Sequence, residues 1–254
     1  MISPGKAIRG DQKTESEIVF WGEWEADSEV VAHFQNQADG GPEYLWRPFY
    51  GIPDSYSRLQ NTDPFVFGSF LYGICQQYRS TGPTQLRYLA QGSVILFGSY
   101  LNDQFALDTV FVVKDWIDHT RSNYRQVLAG RVPDRYIDVT IKPLYESGRK
   151  ERDACAPDAY RSWRLYRGAT AEDQTDGMFS FFPCLPASNS RSGFSRPAIC
   201  EDRIITRSSR QGFRLNPQGS TCDCRLLWQM VVDQTFRSGL WLGVRANLPE
   251  LALH

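Results

Sequence analysis

The chain has 254 residues, 41% of them hydrophobic and 22% charged, the make-up of an ordinary globular protein long enough to bury a core. A formal net charge of −1 at pH 7 excludes a polycation drawn to nucleic acid or acidic lipid by bulk charge. No apolar run approaches the ~18 residues that a membrane span requires, so no membrane partner is expected.

In chain order, residues 1–16, MISPGKAIRGDQKTES, are polar, lack the apolar core of a signal peptide and read as a disordered leader of a cytoplasmic protein. The fold is expected over 17–254 as one domain, with a C-terminal subdomain from about residue 160 left open. Ile18–Trp21 reads as a strand, and Glu29–Phe34, opened by Ser28, as a short helix or second strand. Residues 35–64 carry four prolines and three glycines among many aromatics, which makes them a packed loop or a binding wall. TQLRYLAQ (84–91) reads as a short helix stopped by Gly92.

Ser93–Phe97 and Phe105–Val113 are rich in β-branched and aromatic residues and read as paired inner strands of a barrel. Val94, Leu96, Val110 and Val112 should be buried, and the joining loop Ser99–Gln104 exposed. In RYIDVTIKPLY (135–145), Ile137, Val139 and Ile141 alternate with polar residues, the pattern of a half-exposed strand. Residues 146–161 read as a loop, and SWRLYRGA (162–169) and GMFSFFPC (177–184) as further ordered segments. Residues 185–219 are rich in Ser, Arg, Pro and Gly, with short apolar runs such as Ile204-Ile205. DCRLLWQMVVDQTFRSG (223–239) is the clearest helix, with Leu226, Leu227, Met230, Val231 and Gln234 at helical spacing and Gly239 past its end. Many short strands and few helices predict an α+β fold: a small mixed β-barrel with peripheral helices and long irregular loops.

The basic residues are unusual in kind. Five of the 28 are lysines, leaving 23 arginines, the side chain that grips phosphate or carboxylate with two donors and stacks on bases. A GC-rich genome produces the same bias. Cys222 and Cys224 are one residue apart rather than the two of a zinc knuckle, and His33, His119 and His254 lie in separate segments. Reduced, buried cysteines are therefore expected, with no metal and no cofactor; a metal at Cys222 and Cys224 would draw in Cys184 and Cys200.

DPFVFGSFLYGICQQ (63–77), LRYLAQGSVILFGS (86–99) and FALDTVFVV (105–113) together resemble the order found in PUA-like domains of the ASCH, EVE and YTH kind. The matching positions are Asp63-Pro64-Phe65, Gly73-Ile74-Cys75, Gly92-Ser93, Gly98-Ser99 and Val112-Val113. Ser93 stands where an acid is common, and the basic G-x-K motif is absent. The resemblance implies a barrel that binds a nucleotide or modified base, free or within single-stranded nucleic acid, in a bacterial DNA-modification or defence setting. The glycine-rich turn at Gly92, Ser93, Gly98 and Ser99 would approach a flat ligand, and Trp21, Trp24, Trp46, Tyr50, Phe65 and Tyr72 would stack on it.

Three side chains are candidates for chemistry. Glu23, with Glu25, is placed for glycosidase-like acid–base work. Asp108 sits inside an apolar run and needs a donor, for which Arg164 and Arg167 are the expected partners. Arg167, in WRLYRGAT, resembles the phosphate-holding arginine of ADP-ribosyltransferases, though that family's S-T-S and E-x-E motifs are missing. Asp63 reads either as a ligand acceptor or as a turn initiator before Pro64. An arginine-rich structural or partner-binding protein is the remaining alternative.

Overall fold

The computed structural model describes residues 1–35, 41–50, 62–79, 81–146, 162–188, 193–199, 213–214 and 221–250. Its strands are β1 (Ile2–Arg9), β2 (Gln12–Phe20), β3 (Ser28–His33), β4 (Tyr44–Pro48), β5 (Leu71–Tyr72), β6 (Tyr78–Arg79), β7 (Gly82–Pro83), β8 (Val94–Leu101), β9 (Gln104–His119), β10 (Trp163–Gly168), β11 (Phe182–Pro186), β12 (Ala198–Ile199), β13 (Phe213–Arg214) and β14 (Trp241–Ala246). The helices are α1 (Tyr124–Leu128), α2 (Asp134–Tyr136), α3 (Lys142–Glu146) and α4 (Thr221–Arg237). The expected loop at 146–161 and the apolar pair Ile204-Ile205 lie outside the described residues.

The architecture is mostly β, with a four-stranded closed barrel in the order β1-β14-β11-β2 and a larger open sheet. Residues 1–16 are therefore ordered, not disordered as expected, for they supply β1 and most of β2. The small residues on the inward row of β1, Gly5 and Ala7, follow from the narrowness of the barrel. A Cβ on Gly5 would lie 2.4 Å from the Arg245 carbonyl oxygen and 2.6 Å from Ile18, and one on Gly243 would lie 2.1 Å from the Phe182 ring. Glycine and Ala7 occupy positions where a wider barrel would show leucine or valine.

The open sheet runs β13-β8-β9-β10-β5, with β12 also on β9. The expected strands at 94–97 and 105–113 are present and paired, but in this sheet and not in the barrel. β8 continues through Gly98 and Ser99 to Leu101, so the connection shrinks to Asn102-Asp103. Both have positive φ, 49° and 61°, as a type I′ hairpin turn needs. Val94, Leu96, Val110 and Val112 are fully buried, and residues 99–104 are exposed.

Strand β9 is central and covered on both sides. Phe111, Val113 and Ile117 join a core with Phe65, Tyr72, Tyr136 and Leu165. Val110, Val112 and Leu107 join a second core with Leu227, Trp228 and Val231 of α4. Barrel and sheet are linked where Val110 and Phe181 exchange two backbone hydrogen bonds of 2.8 and 2.9 Å.

Residues 134–146 are helical, with a π turn at Ile137–Ile141 between α2 and α3, and not the strand expected from Ile137, Val139 and Ile141. Tyr136, Val139, Thr140 and Pro143 are buried, a spacing of three and four that marks a helical face. Ile137 and Ile141 sit one turn apart, so the period-two reading came from two helical rows overlapping. The helix expected at 223–239 is α4, followed by Gly239 at φ 77°. Its buried row is Cys224, Leu227, Trp228, Val231, Val232 and Thr235, which leaves Leu226 65% exposed. Among the described residues no helix is long and apolar enough to cross a membrane.

Candidate aromatic binding site

Asp108 owes its position to a β-bulge. Phe97 pairs with Thr109 and the next residue, Gly98, with Leu107, so Asp108 is the extra residue on β9. A Cβ on Gly98 would lie 2.1 Å from the Ala106 carbonyl oxygen, so the bulge is opposed by the one residue small enough for it. The Asp108 side chain is 8% exposed and meets Arg196 Nη1 at 3.2 and 3.3 Å. The expected partners Arg164 and Arg167 are bound elsewhere. Burial pushes the Asp108 carboxyl up to about 6, more than Arg196 pulls it down.

Arg196 Nη1 also donates to Ser99 Oγ at 2.7 Å, and its guanidinium lies 4.8 Å from the centre of the Trp21 ring. The Trp21 indole N–H donates to the Phe194 carbonyl at 2.8 Å. Residues 194–196 are thus fastened to the end of β2 by a hydrogen bond and a cation–π contact, and to β9 by the Arg196–Asp108 ion pair. Glu23, beyond Trp21, is exposed at this rim; partial burial of its carboxyl and the charge of Glu25 raise its pKa, against the pull of Arg196.

Trp21 also lines a cleft of about 340 Å³. One wall is the β3–β4 hairpin. Tyr44 and Trp46 lie two residues apart on one face of β4 while Leu45 turns inward onto Ile2 and Val19. Their rings are 5.7 Å apart, and His33 of β3 stacks on Tyr44 at 4.7 Å with an interplanar angle of 11°. Phe194 closes the opposite side. Gly193 brings it there: at φ 74°, a Cβ would lie 2.3 Å from Pro42, so backbone abuts the hairpin end directly. Tyr44 is 37% and Trp46 38% exposed, and rings left this open over a concave surface can stack on a planar ligand.

Of the residues expected at a site, Trp21 and Trp46 are brought together here, with Ser99, Asp108 and Glu23 nearby. The rest fall elsewhere. Trp24 packs edge-on against Tyr50 and Phe67, its N–H donating to the Asp27 carbonyl, and Tyr50, Phe65 and Tyr72 are core residues no more than 1% exposed. Tyr72 stacks on Tyr166 at 5.6 Å. Gly92 and Ser93 are buried where β8 begins, with Gly92 N–H bonded to the Val113 carbonyl, so neither they nor Gly98 offers backbone to a ligand.

Asp63 is buried and accepts three backbone N–H bonds, from Gly73 at 3.0 Å, Ile74 at 2.6 Å and Cys75 at 2.7 Å. It organises a turn; burial still raises its carboxyl above the ordinary value against those donors. Arg167 makes a two-pronged pair with its cross-strand neighbour Asp115, at 2.6 and 2.5 Å, and Arg164 does the same with Asp118 at 2.9 and 3.0 Å. A guanidinium held this way presents no open fork to a dinucleotide.

Tyr44, Phe194 and Arg196 were missed. Tyr44 was legible as the residue two before Trp46 in an aromatic segment; Phe194 and Arg196 lie in a Ser/Arg-rich stretch with no periodic signal. A second cleft of about 530 Å³ lies between the β1–β2 hairpin and residues 171–179, but its ring, Phe179, is buried, and its Lys6 is drawn to Glu15. Among the described residues no three His, Cys, Asp or Glu side chains gather as metal ligands. Cys184 is deep in the first core and Cys224 in the second, while Cys155, Cys200 and the Cys222 side chain lie outside the described residues. Burial pushes the Cys184 thiol far up, so it is inert. No protein-family model matches the chain, and no curated protein or solved structure is significantly similar to it.

Proposed function

We propose that the chain is a binding module for a flat aromatic ligand, a nucleobase or modified base presented as a nucleotide or within single-stranded nucleic acid. The observation that carries this is the cleft walled by Trp21, Tyr44, Trp46 and Phe194, whose volume of about 340 Å³ suits a single base. Base–aromatic stacking is sequence-tolerant and contributes about 1–3 kcal/mol per base. The near-neutral net charge supports recognition of a base over retention of a long duplex. Kinship with PUA-like domains, and the bacterial setting it implies, rest on the resemblance of residues 63–113.

Titration with nucleosides and short single strands, read by tryptophan fluorescence, tests the reading. Quenching is expected, and Trp46→Ala should weaken binding about tenfold, the equivalent of ~1.4 kcal/mol of stacking. Absence of quenching with every base, or binding indifferent to Trp46→Ala, rejects it.

A further inference from the structure

The charges around the cleft narrow the ligand further. Among the described residues that line it there is no lysine or arginine, and the one charged side chain is Glu43, beside Tyr44 and Trp46. Met1 also lines the cleft; its amino group donates to the Phe20 carbonyl, and burial pushes it down to about 5, which leaves it neutral at pH 7. Arg196 contacts the Trp21 ring, and its charge is answered by Asp108. Among the described residues a phosphate or carboxylate would meet no cation lining the cleft, whereas a positive ring would meet electron-rich faces and a carboxylate.

Resting on the reading of this cleft as a base site, we infer that its preferred occupant is a base carrying a positive charge, such as one alkylated on a ring nitrogen. The faces of Trp21, Tyr44 and Trp46 have the negative quadrupole that attracts a cation, and Trp21 already holds a guanidinium at 4.8 Å on one side. Glu43 stands at the mouth, exposed and 3.8 Å from His33, where it adds a longer-range attraction. A neutral base gains the stacking alone. The charged base gains stacking and the cation–π term, so the site discriminates on charge where shape is nearly equal.

The test compares two isomers, 1-methyladenosine, a cation at pH 7, and N6-methyladenosine, which is neutral. Both carry one methyl group, so size and apolar area match. Calorimetric titration of the whole chain should show 1-methyladenosine binding about tenfold more tightly. Trp46→Leu, which keeps an apolar wall without a quadrupole, should bring the ratio to within about twofold, and Glu43→Gln, at an exposed position, should reduce it about twofold. Tetramethylammonium at millimolar concentration should compete with 1-methyladenosine. If N6-methyladenosine binds as tightly or more tightly, the charge preference is overturned while the base-stacking site stands. If neither isomer nor any plain nucleoside binds, the stacking site itself is rejected, and the preference with it.

Discussion

Replacing Asp108 by asparagine alters how stability depends on pH, in a direction that burial fixes. In the folded chain this carboxyl titrates at about 6 instead of an ordinary 3.8, because desolvation outweighs the pull of Arg196. Between those values the folded chain binds a proton that the unfolded chain does not, so folding is favoured at the acid end and loses ground as pH rises. The ionised carboxylate costs roughly 3 kcal/mol more in the folded than in the unfolded state. Asparagine does not titrate. Urea unfolding of both proteins at intervals from pH 4 to pH 7.5 isolates the effect as a difference between them. His119, pushed down to about 4, titrates in both and largely cancels. Glu23, raised by burial, and the Met1 amino group, pushed down to about 5, interact with Asp108 and leave a smaller residue. The stability of the natural chain relative to Asp108→Asn should fall by about 2–3 kcal/mol across the range. A flat difference, or one that rises with pH as a well-compensated ion pair would give, refutes the claim that burial wins at this bulge.

Asp63→Asn leaves an amide where three backbone N–H groups converge on a carboxylate, and should cost about 3 kcal/mol in chemical denaturation; a loss under ~1 kcal/mol would mean the turn at 73–75 holds without it. Arg167→Lys breaks the fork onto Asp115 at a position 35% exposed, so it should cost no more than about 1 kcal/mol and leave nucleoside affinity unchanged; loss of ligand binding there would return Arg167 to the site.

The hairpin of β8 and β9 was legible because long β-branched runs bounded by turn residues have few other uses, and α4 because its apolar spacing is sustained over four turns. Two segments misled for opposite reasons. β1 buries Gly5 and Ala7, so the inward row of a strand in a narrow barrel carries no hydrophobic signature. At 137–141 two helical rows overlap and imitate alternation. The site was half legible. Trp21 and Trp46 stood out as aromatics in irregular sequence, yet Trp24 and Tyr50 from the same region went to the core, and composition alone has no term for which way a ring turns. Phe194 and Arg196 approach Trp21 only through tertiary folding, from more than 170 positions away, and local sequence carries no trace of that.

The pairing of β1 with β14 joins residues 5–8 to residues 242–246, and this sets an order of events during synthesis. The β1–β2 hairpin emerges from the ribosome early, but its partner strand is made more than two hundred residues later, which at ~5–20 residues per second is ten seconds or more. The β2 edge waits for β11 at residues 182–186 and the β1 edge for the whole interval, the situation in which exposed strands pair with the wrong chain. The same narrowness that set Gly5 and Ala7 on the inward row of β1 offers a partial safeguard: that row gives a stray strand little to bury, and Lys6, Lys13, Glu15 and Glu17 charge the hairpin along its length.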